Sequence, residues 1–414
     1  MIFKVLSFLK SSLLIQAPEN TRVVIALAIM LLAGFGLTRI TKLAHLPNVT
    51  AYIVSGVIIG PYGFDLIPAE FVQATSFLSD VALSLIAFGA GQFFKMKRLK
   101  RGIVHSTVIA LSETLFSSIL MFLVSYVLLG ISLPFSLILA SIAGTTAPTS
   151  TIMTIRQKRA KGNFVYTLIQ VIAMDDLISL ISFSISLSIA VGLMFDEFKV
   201  INIFIPVMIN LAIILTGCLL GGLLKALLPD YRSEDNRLII VLAILLGFSG
   251  ICSLVNVSPL LGCMSMGMVY INISSDEKLF EQVNIFSPPV LMLFFVRSGL
   301  NFKMDGLFNN SLAVGSISLI TLVLIYFVVR FIGKYIGAFI GCKITGKDEL
   351  TTRNLGLALF PQAGVAIALA AMAARSFGGN LGLALETVVV ATSILYEFIG
   401  PAMAKSALKR AKTY

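Results

Sequence analysis

The chain has 414 residues, 57% of them hydrophobic and 12% charged, where soluble globular domains average roughly 45–50% and 25%. This composition excludes a soluble fold and, with no long polar linker, low-complexity tract or heptad run to divide the chain, reads as one polytopic membrane domain. A net charge of +11 would suggest nucleic acid in a soluble protein, but in a membrane protein a basic excess belongs to cytoplasmic loops, so no nucleic-acid partner is expected.

From the N-terminus, Met1 to Gln16 spaces Lys4 and Lys10 through Phe, Leu and Ile with no small-residue cleavage site before Pro18. It reads as a short amphipathic lead-in and not as a cleaved signal. A bilayer core of about 30 Å takes around 20 apolar residues per helix, and polar clusters cut the rest of the chain into thirteen such segments. They are 21–40, 47–60, 72–94, 104–129, 133–155, 163–192, 200–224, 238–254, 257–273, 282–300, 312–341, 352–374 and 381–408. Lys and Arg alternate between the loops with clear parity. Twenty-two follow odd-numbered spans, six lie at the N-terminus or after even-numbered spans, and three (Arg297, Arg330, Lys334) lie inside spans. A miscounted helix would scramble that parity, so thirteen crossings are expected, with the N-terminus outside and the C-terminus cytoplasmic.

Cys218, Cys252, Cys263 and Cys342 lack the paired spacing of zinc sites and read as packing residues, and with His45 and His105 the only histidines no transition-metal site is expected. A charge at mid-bilayer costs about 2.5–3.5 kcal/mol on insertion scales, which makes intramembrane ionisable groups functional candidates. Asp80, Glu386 and Glu397 are placed near helix ends, in solvated or capping roles. Glu113, well inside the fourth span, is a candidate partner for a buried base. Asp175 and Asp176, adjacent in VIAMDDLISL at the middle of the sixth span, are the sharpest signal. Neighbours on a helix diverge by about 100°, so one carboxylate can face a water-filled cavity while the other turns to a neighbouring helix. Such a pair can hold protons or, with nearby carbonyls, a hard cation such as sodium, and the two compete for the same oxygens.

In the eleventh span VVRFIGKYIGAF places Arg330 and Lys334 four residues apart on one helix face. Either can serve as counter-charge to the dyad, and Lys is the better switch because an ammonium gives up its proton far more readily than a guanidinium. Arg297, in FFVRSGL, is expected to cap or snorkel. Two places break the helical pattern at lipid depth: GTTAPTST in the fifth span, with Thr145, Thr146, Pro148 and Thr149, and LFPQAGVAIA in the twelfth, with Pro361, Gln362 and Gly364. Pro removes a backbone donor, and freed carbonyls are tolerated in a membrane only where protein or a water-filled cavity receives them. Paired interruptions point to a transport site near the midplane. The order also suggests an inverted repeat of spans four to six on eleven to thirteen, since an odd offset of seven inverts topology.

At these residues the chain resembles the second family of monovalent cation:proton antiporters. The likeness runs through LPNVTAYIVSGVIIGPYGF, SDVALSLIAFGAG, TAPTSTIMTIRQKRAKG, AMDD, VSPLLGCMSMGMV, FFVRSGLNF, GKYIG and YEFIGPAMAK. The resemblance implies an all-α fold with two crossed discontinuous helices. It implies core helices at about 104–192 and 312–408, a dimerisation scaffold at about 21–94 and 200–273, elevator motion and a homodimer in the cell membrane. It also implies that Asp176 binds the ion, that Asp175 pairs with Lys334 in the substrate-free state, that Thr145, Thr146 and Thr149 line the first helix crossing and that Gln362 lines the second. The double Asp resembles the electrogenic sodium/proton branch, whereas potassium-efflux relatives usually carry Gln-Asp. No cofactor is expected beyond the transported sodium or lithium and protons, and no soluble regulatory domain beyond Tyr414. The rival readings are potassium/proton or electroneutral sodium/proton exchange, a passive channel and, more remotely, an intramembrane aspartyl protease, which needs its two Asp on separate elements.

Overall fold

The computed structural model describes residues 19–414 except 44–47, 62, 68–70, 72–74, 76, 97–101, 148–150, 153, 156–157, 195–200, 230–232, 255–256, 275, 303–313, 316 and 363. The described residues form fourteen α-helices and no named strand. In chain order they are α1 (Glu19–Leu43), α2 (Asn48–Ile59), α3 (Phe77–Gly91), α4 (Ile103–Phe122), α5 (Leu133–Ala143), α6 (Asn163–Met194) and α7 (Ile201–Leu227). Then follow α8 (Glu234–Leu254), α9 (Leu260–Ser274), α10 (Lys278–Leu300), α11 (Leu319–Ile344), α12 (Glu349–Ala358), α13 (Gly364–Phe377) and α14 (Gly379–Arg410). Each predicted span has a helix, and the fifth and twelfth are interrupted where the Thr/Pro and Pro-Gln runs fall. Nine of the described helices are long and apolar enough to cross a membrane, while α2, α5, α9 and α13 are shorter. Helix α2 matches the predicted second span, 47–60, to within a residue at each end. Twelve residues in α2 rise only about 18 Å, because the chain turns at Gly60 and Pro61, with Phe64 N donating to Ile58 O at 2.7 Å and Leu66 N to Ile59 O at 3.0 Å.

Packing divides the helices into two groups. Helices α4–α6 and α11–α14 pack mainly on one another, as do α1–α3 and α7–α10. Small residues set the closest approaches, as expected where lipid removes any hydrophobic drive between helices. On α11, Gly333 lies against Ser117, Gly337 against Glu113 and Gly341 against Ile109 of α4. Advancing four residues along α11 retreats four along α4, so the two helices run antiparallel, as an odd offset of seven spans requires. Between α7 and α9 the sense is parallel, Gly217 lying against Gly262 and Gly221 against Met266.

A Cβ at Gly337 would lie 2.5 Å from the Cα of Glu113 and 2.8 Å from Ser112 O, whereas one at Gly222 meets nothing within 4 Å. Gly337→Ala is thus expected to cost about 1–3 kcal/mol, the range for overpacking, with Gly222→Ala near neutral. Thermal unfolding of the two purified variants in the same detergent checks the contrast.

Candidate functional site: charges buried at the helix breaks

The two interruptions meet. After α5 the chain leaves the helix over 145–147, and Ala147 N donates to Pro361 O at 2.9 Å while Thr151 Oγ1 donates to Ala358 O at 3.1 Å. Stopping α5 and α12 in mid-membrane frees their last carbonyls, and one side chain collects them. Arg330, fully buried, donates Nε to Ala143 O at 3.1 Å, Nη1 to Phe360 O at 3.0 Å and Nη2 to Thr145 O at 2.5 Å. Its guanidinium also lies over the Tyr396 ring, 4.4 Å from the centroid. Gln362 Nε2 lies 3.0 Å from Ile142 O, 3.1 Å from Thr145 Oγ1 and 3.0 Å from Tyr326 Oη. Of the two bases on α11, Arg330 therefore serves the freed backbone and makes no ion pair with the dyad among the described contacts.

Lys334, one turn further along α11, serves the carboxylates. Its Nζ donates to Glu113 Oε2 at 2.6 Å, Asp175 Oδ2 at 3.0 Å and Thr146 Oγ1 at 2.7 Å. Asp175 also accepts from Thr114 Oγ1 at 2.6 Å and from Thr146 Oγ1, with Ser179 Oγ 3.5 Å away. Asp176, 3% exposed, points elsewhere. Its Oδ1 has no hydrogen-bond partner among the described residues, and it lines a cavity of about 10 Å³ with Leu83, Ala87, Leu180, Leu260 and Val365. That is room for about one water-sized guest. The dyad thus divides as a 100° turn dictates, with Asp175 toward α4 and α11 and Asp176 toward α3, α9 and α13.

A second charged cluster joins the two helix groups. Arg375 on α13 makes a two-pronged ion pair with Asp80 at the start of α3, at 2.6 and 3.1 Å. Arg297 does not snorkel to the surface. It is buried near the end of α10, donates Nη1 to Ser79 Oγ at 3.1 Å and feels the charges of Glu386, Arg375 and Asp80. Glu386 is buried and accepts from Asn301 Nδ2 at 3.3 Å; Glu397 is buried too, so the solvated placement expected of these two acids does not hold. Pro148 and Thr149 lie outside the described residues. Thr114, Ser179, Tyr326 and Tyr396 join the site without having been singled out in the sequence, since hydroxyls and aromatics are ordinary in apolar helices. The four cysteines are free thiols, three of them buried.

A family model described as "Sodium/hydrogen exchanger, transmembrane" matches residues 25–404. A curated relative, the probable Na(+)/H(+) antiporter 3 of Methanocaldococcus jannaschii, is 24% identical over 381 residues, covering 90% of this chain and 93% of its own. Two structures of the sodium proton antiporter MjNhaP1 from the same organism superpose with TM-scores of 0.78 and 0.73. Both are 16% identical and cover 95% of this chain, with 99% and 98% of their own chains matched. At that identity the likeness concerns the fold.

The division of labour between the two bases separates their variants. Arg330→Gln strips three carbonyls of their donor and is expected to cost about 3 kcal/mol or more, at about 1 kcal/mol or above per buried unsatisfied group, at every pH. Lys334→Gln leaves Glu113 and Asp175 without their cation, a loss of about 3–5 kcal/mol while both are ionised. Acid neutralises those carboxylates, so the Lys334→Gln deficit shrinks as pH falls. Thermal midpoints of both variants across a pH series check this, and parallel deficits would contradict it.

Proposed function

The chain belongs to the sodium/hydrogen exchanger family, and from that membership we propose that it is a secondary antiporter exchanging cytoplasmic sodium or lithium for external protons. The observation that carries this reading is the unequal treatment of two neighbouring carboxylates. Asp175 is held by Lys334 and the hydroxyls of Thr114 and Thr146, while Asp176 has a buried oxygen without a hydrogen-bond partner among the described residues and lines a cavity of about 10 Å³. In this scheme a proton on Asp176 makes way for a dehydrated cation, whose remaining ligands are carbonyl, hydroxyl or water oxygens. No covalent chemistry is involved. The curated relative's description as a probable Na(+)/H(+) antiporter supports the same reading, and the adjacent Asp residues favour the double-Asp branch of the second antiporter family.

We assign transport to a core of α4–α6 and α11–α14 moving as an elevator against α1–α3 and α7–α9. The protein would be a homodimer in the cell membrane, with its N-terminus outside. In that orientation the Asp80–Arg375 pair lies on the outer side and ties the two bodies together, so it must part when the site opens outward. Stoichiometry turns on Lys334. If it releases its proton each cycle, two protons enter per cation and the membrane potential drives export at about 2.3 kcal/mol per charge per 100 mV. The Glu113 contact at 2.6 Å favours a second reading. With Glu113 beside it, Lys334 keeps a partner when Asp175 turns to the cation, so it retains its proton and exchange is electroneutral.

Proteoliposomes with sodium, lithium or potassium gradients, with and without a clamped potential, test the scheme. Coupled exchange driven by sodium or lithium and abolished by Asp176→Asn is expected. Cation flux that ignores pH and survives Asp176→Asn would instead make the protein a channel, and exchange confined to potassium would move it to the potassium group. Potential-driven exchange marks the electrogenic form and indifference to potential the electroneutral one. For the latch, Asp80→Asn is expected to raise, several-fold, the rate at which an impermeant thiol reagent outside modifies a cysteine placed at Ala87, beside Asp176.

A further inference from the structure

A groove of about 500 Å³ runs between α11, α12 and the end of α14, walled by Phe331, Tyr335, Leu350 and Leu357, with Arg353 and Arg410 beside them. Phe331 and Tyr335 follow Arg330 and Lys334 by one residue, and they sit about 200° around the helix from the glycines that face α4. The groove therefore backs the two turns of α11 that carry the buried bases, on the side away from α4. It also runs deep. Arg353 is in the first turns of α12 and Arg410 is the last residue of α14, whereas Phe331 lies about 20 Å along α11 from its C-terminal end. The guanidinium groups thus sit at the level of the helix ends, where headgroups lie, and the aromatic and leucine walls continue from them toward the middle of the bilayer.

The groove carries two cationic side chains, Arg353 and Arg410. Lys343, Lys347, Lys409 and Lys412 lie near them in the chain, Lys347 with its Nζ donating to Thr167 Oγ1 of α6 at 3.2 Å. On the same segment Asp348 is occupied in capping α12, accepting from Thr351 N at 3.0 Å, and Glu349 pairs with Arg353 at the exposed rim. A free phosphate or a soluble nucleotide has no use for an apolar wall that long, and an acidic peptide has no reason to enter it. We propose that the groove binds one anionic phospholipid, its headgroup phosphate on Arg353 and Arg410 and an acyl chain along Phe331, Tyr335 and Leu357. Guanidinium is the better phosphate ligand for such a site because its fork can meet two oxygens at once, and basic pockets between helices on the cytoplasmic side bind acidic headgroups. The bound lipid lies directly against the site helix. Gly356 lets α12 approach so closely that a Cβ there would come within 2.9 Å of the Tyr335 Cα, and Tyr335 Oη donates to Arg353 O at 3.3 Å.

The test uses purified full-length protein in detergent, equilibrated with phosphatidylglycerol, phosphatidylcholine or inorganic phosphate and read by native mass spectrometry and thermal unfolding. Phosphatidylglycerol is expected to be retained about thirtyfold more tightly than phosphatidylcholine, the order expected for two basic side chains at the surface. Phosphate alone should neither stabilise the protein nor displace the lipid. Arg353→Gln with Arg410→Gln should abolish the preference, and Arg353→Lys with Arg410→Lys should keep part of it, separating charge from folding. Leu357→Trp, which fills the groove with both arginines intact, should also lose the lipid. Equal retention of the two lipids, an undiminished preference in the Gln double variant, or displacement by inorganic phosphate would each overturn the proposal.

Discussion

Hydrocarbon supplies no hydrogen bonds, so a helix that stops halfway across a bilayer leaves carbonyls that only protein or trapped water can satisfy. Two helices here stop at the same depth, and the structure depends on how their open ends are received. Arg330 reaches Ala143 and Thr145 from one break and Phe360 from the other, and Gln362 adds Ile142. The breaks are stable only as a pair, since a single guanidinium spans both. That requirement fixes where α11 must run, and the glycine stripe that presses α11 onto α4 then brings Lys334 within reach of Glu113.

The dyad shows how one turn of helix separates two jobs that share a chemistry. A buried charge is tolerable when it is paired and hydrogen-bonded, and Asp175 has Lys334 with hydroxyl donors from α4 and the first break. Asp176 has the same side chain one residue later, yet its Oδ1 has no hydrogen-bond partner among the described residues, and the residue lines a cavity with leucine, alanine and valine. A carboxylate surrounded by donors has little reason to exchange its proton or bind a cation. One with an unoccupied oxygen beside a water-sized cavity gains by doing either. Adjacency in the chain is what allows a structural anion and an exchangeable one to sit a few ångströms apart without sharing partners.

Much of this was legible in the sequence because two independent signals, hydropathy and the Lys/Arg loop parity, agree on the number of crossings. Pro361 and the Thr-Pro run around Pro148 mark the breaks because proline cannot donate to a helix. The assignment of Arg330 and Lys334 was not legible. They lie on one face, four residues apart, and only the crossing of α5 with α12 shows that one turn meets carbonyls and the next meets carboxylates. The role of Arg297 was not legible for a related reason, since its partner Ser79 lies on another helix far away in the chain. The short helix α2, by contrast, was legible, because the Gly60-Pro61 pair already ends the predicted span there.

The antiparallel pairing of α4 with α11 carries a further constraint. Two repeats related by an inverting axis place equivalent turns of these helices against each other at the centre of the molecule. Identical charges there would repel in a medium that screens poorly. The two halves instead differ where they touch: α4 contributes the acid Glu113 and α11 the bases Arg330 and Lys334. The backbone keeps its symmetry while the charges become complementary, and the seam between repeats is an attraction. An inverted repeat that were symmetric in charge as well as in shape would have neither a bound seam nor a net anion to offer a cation.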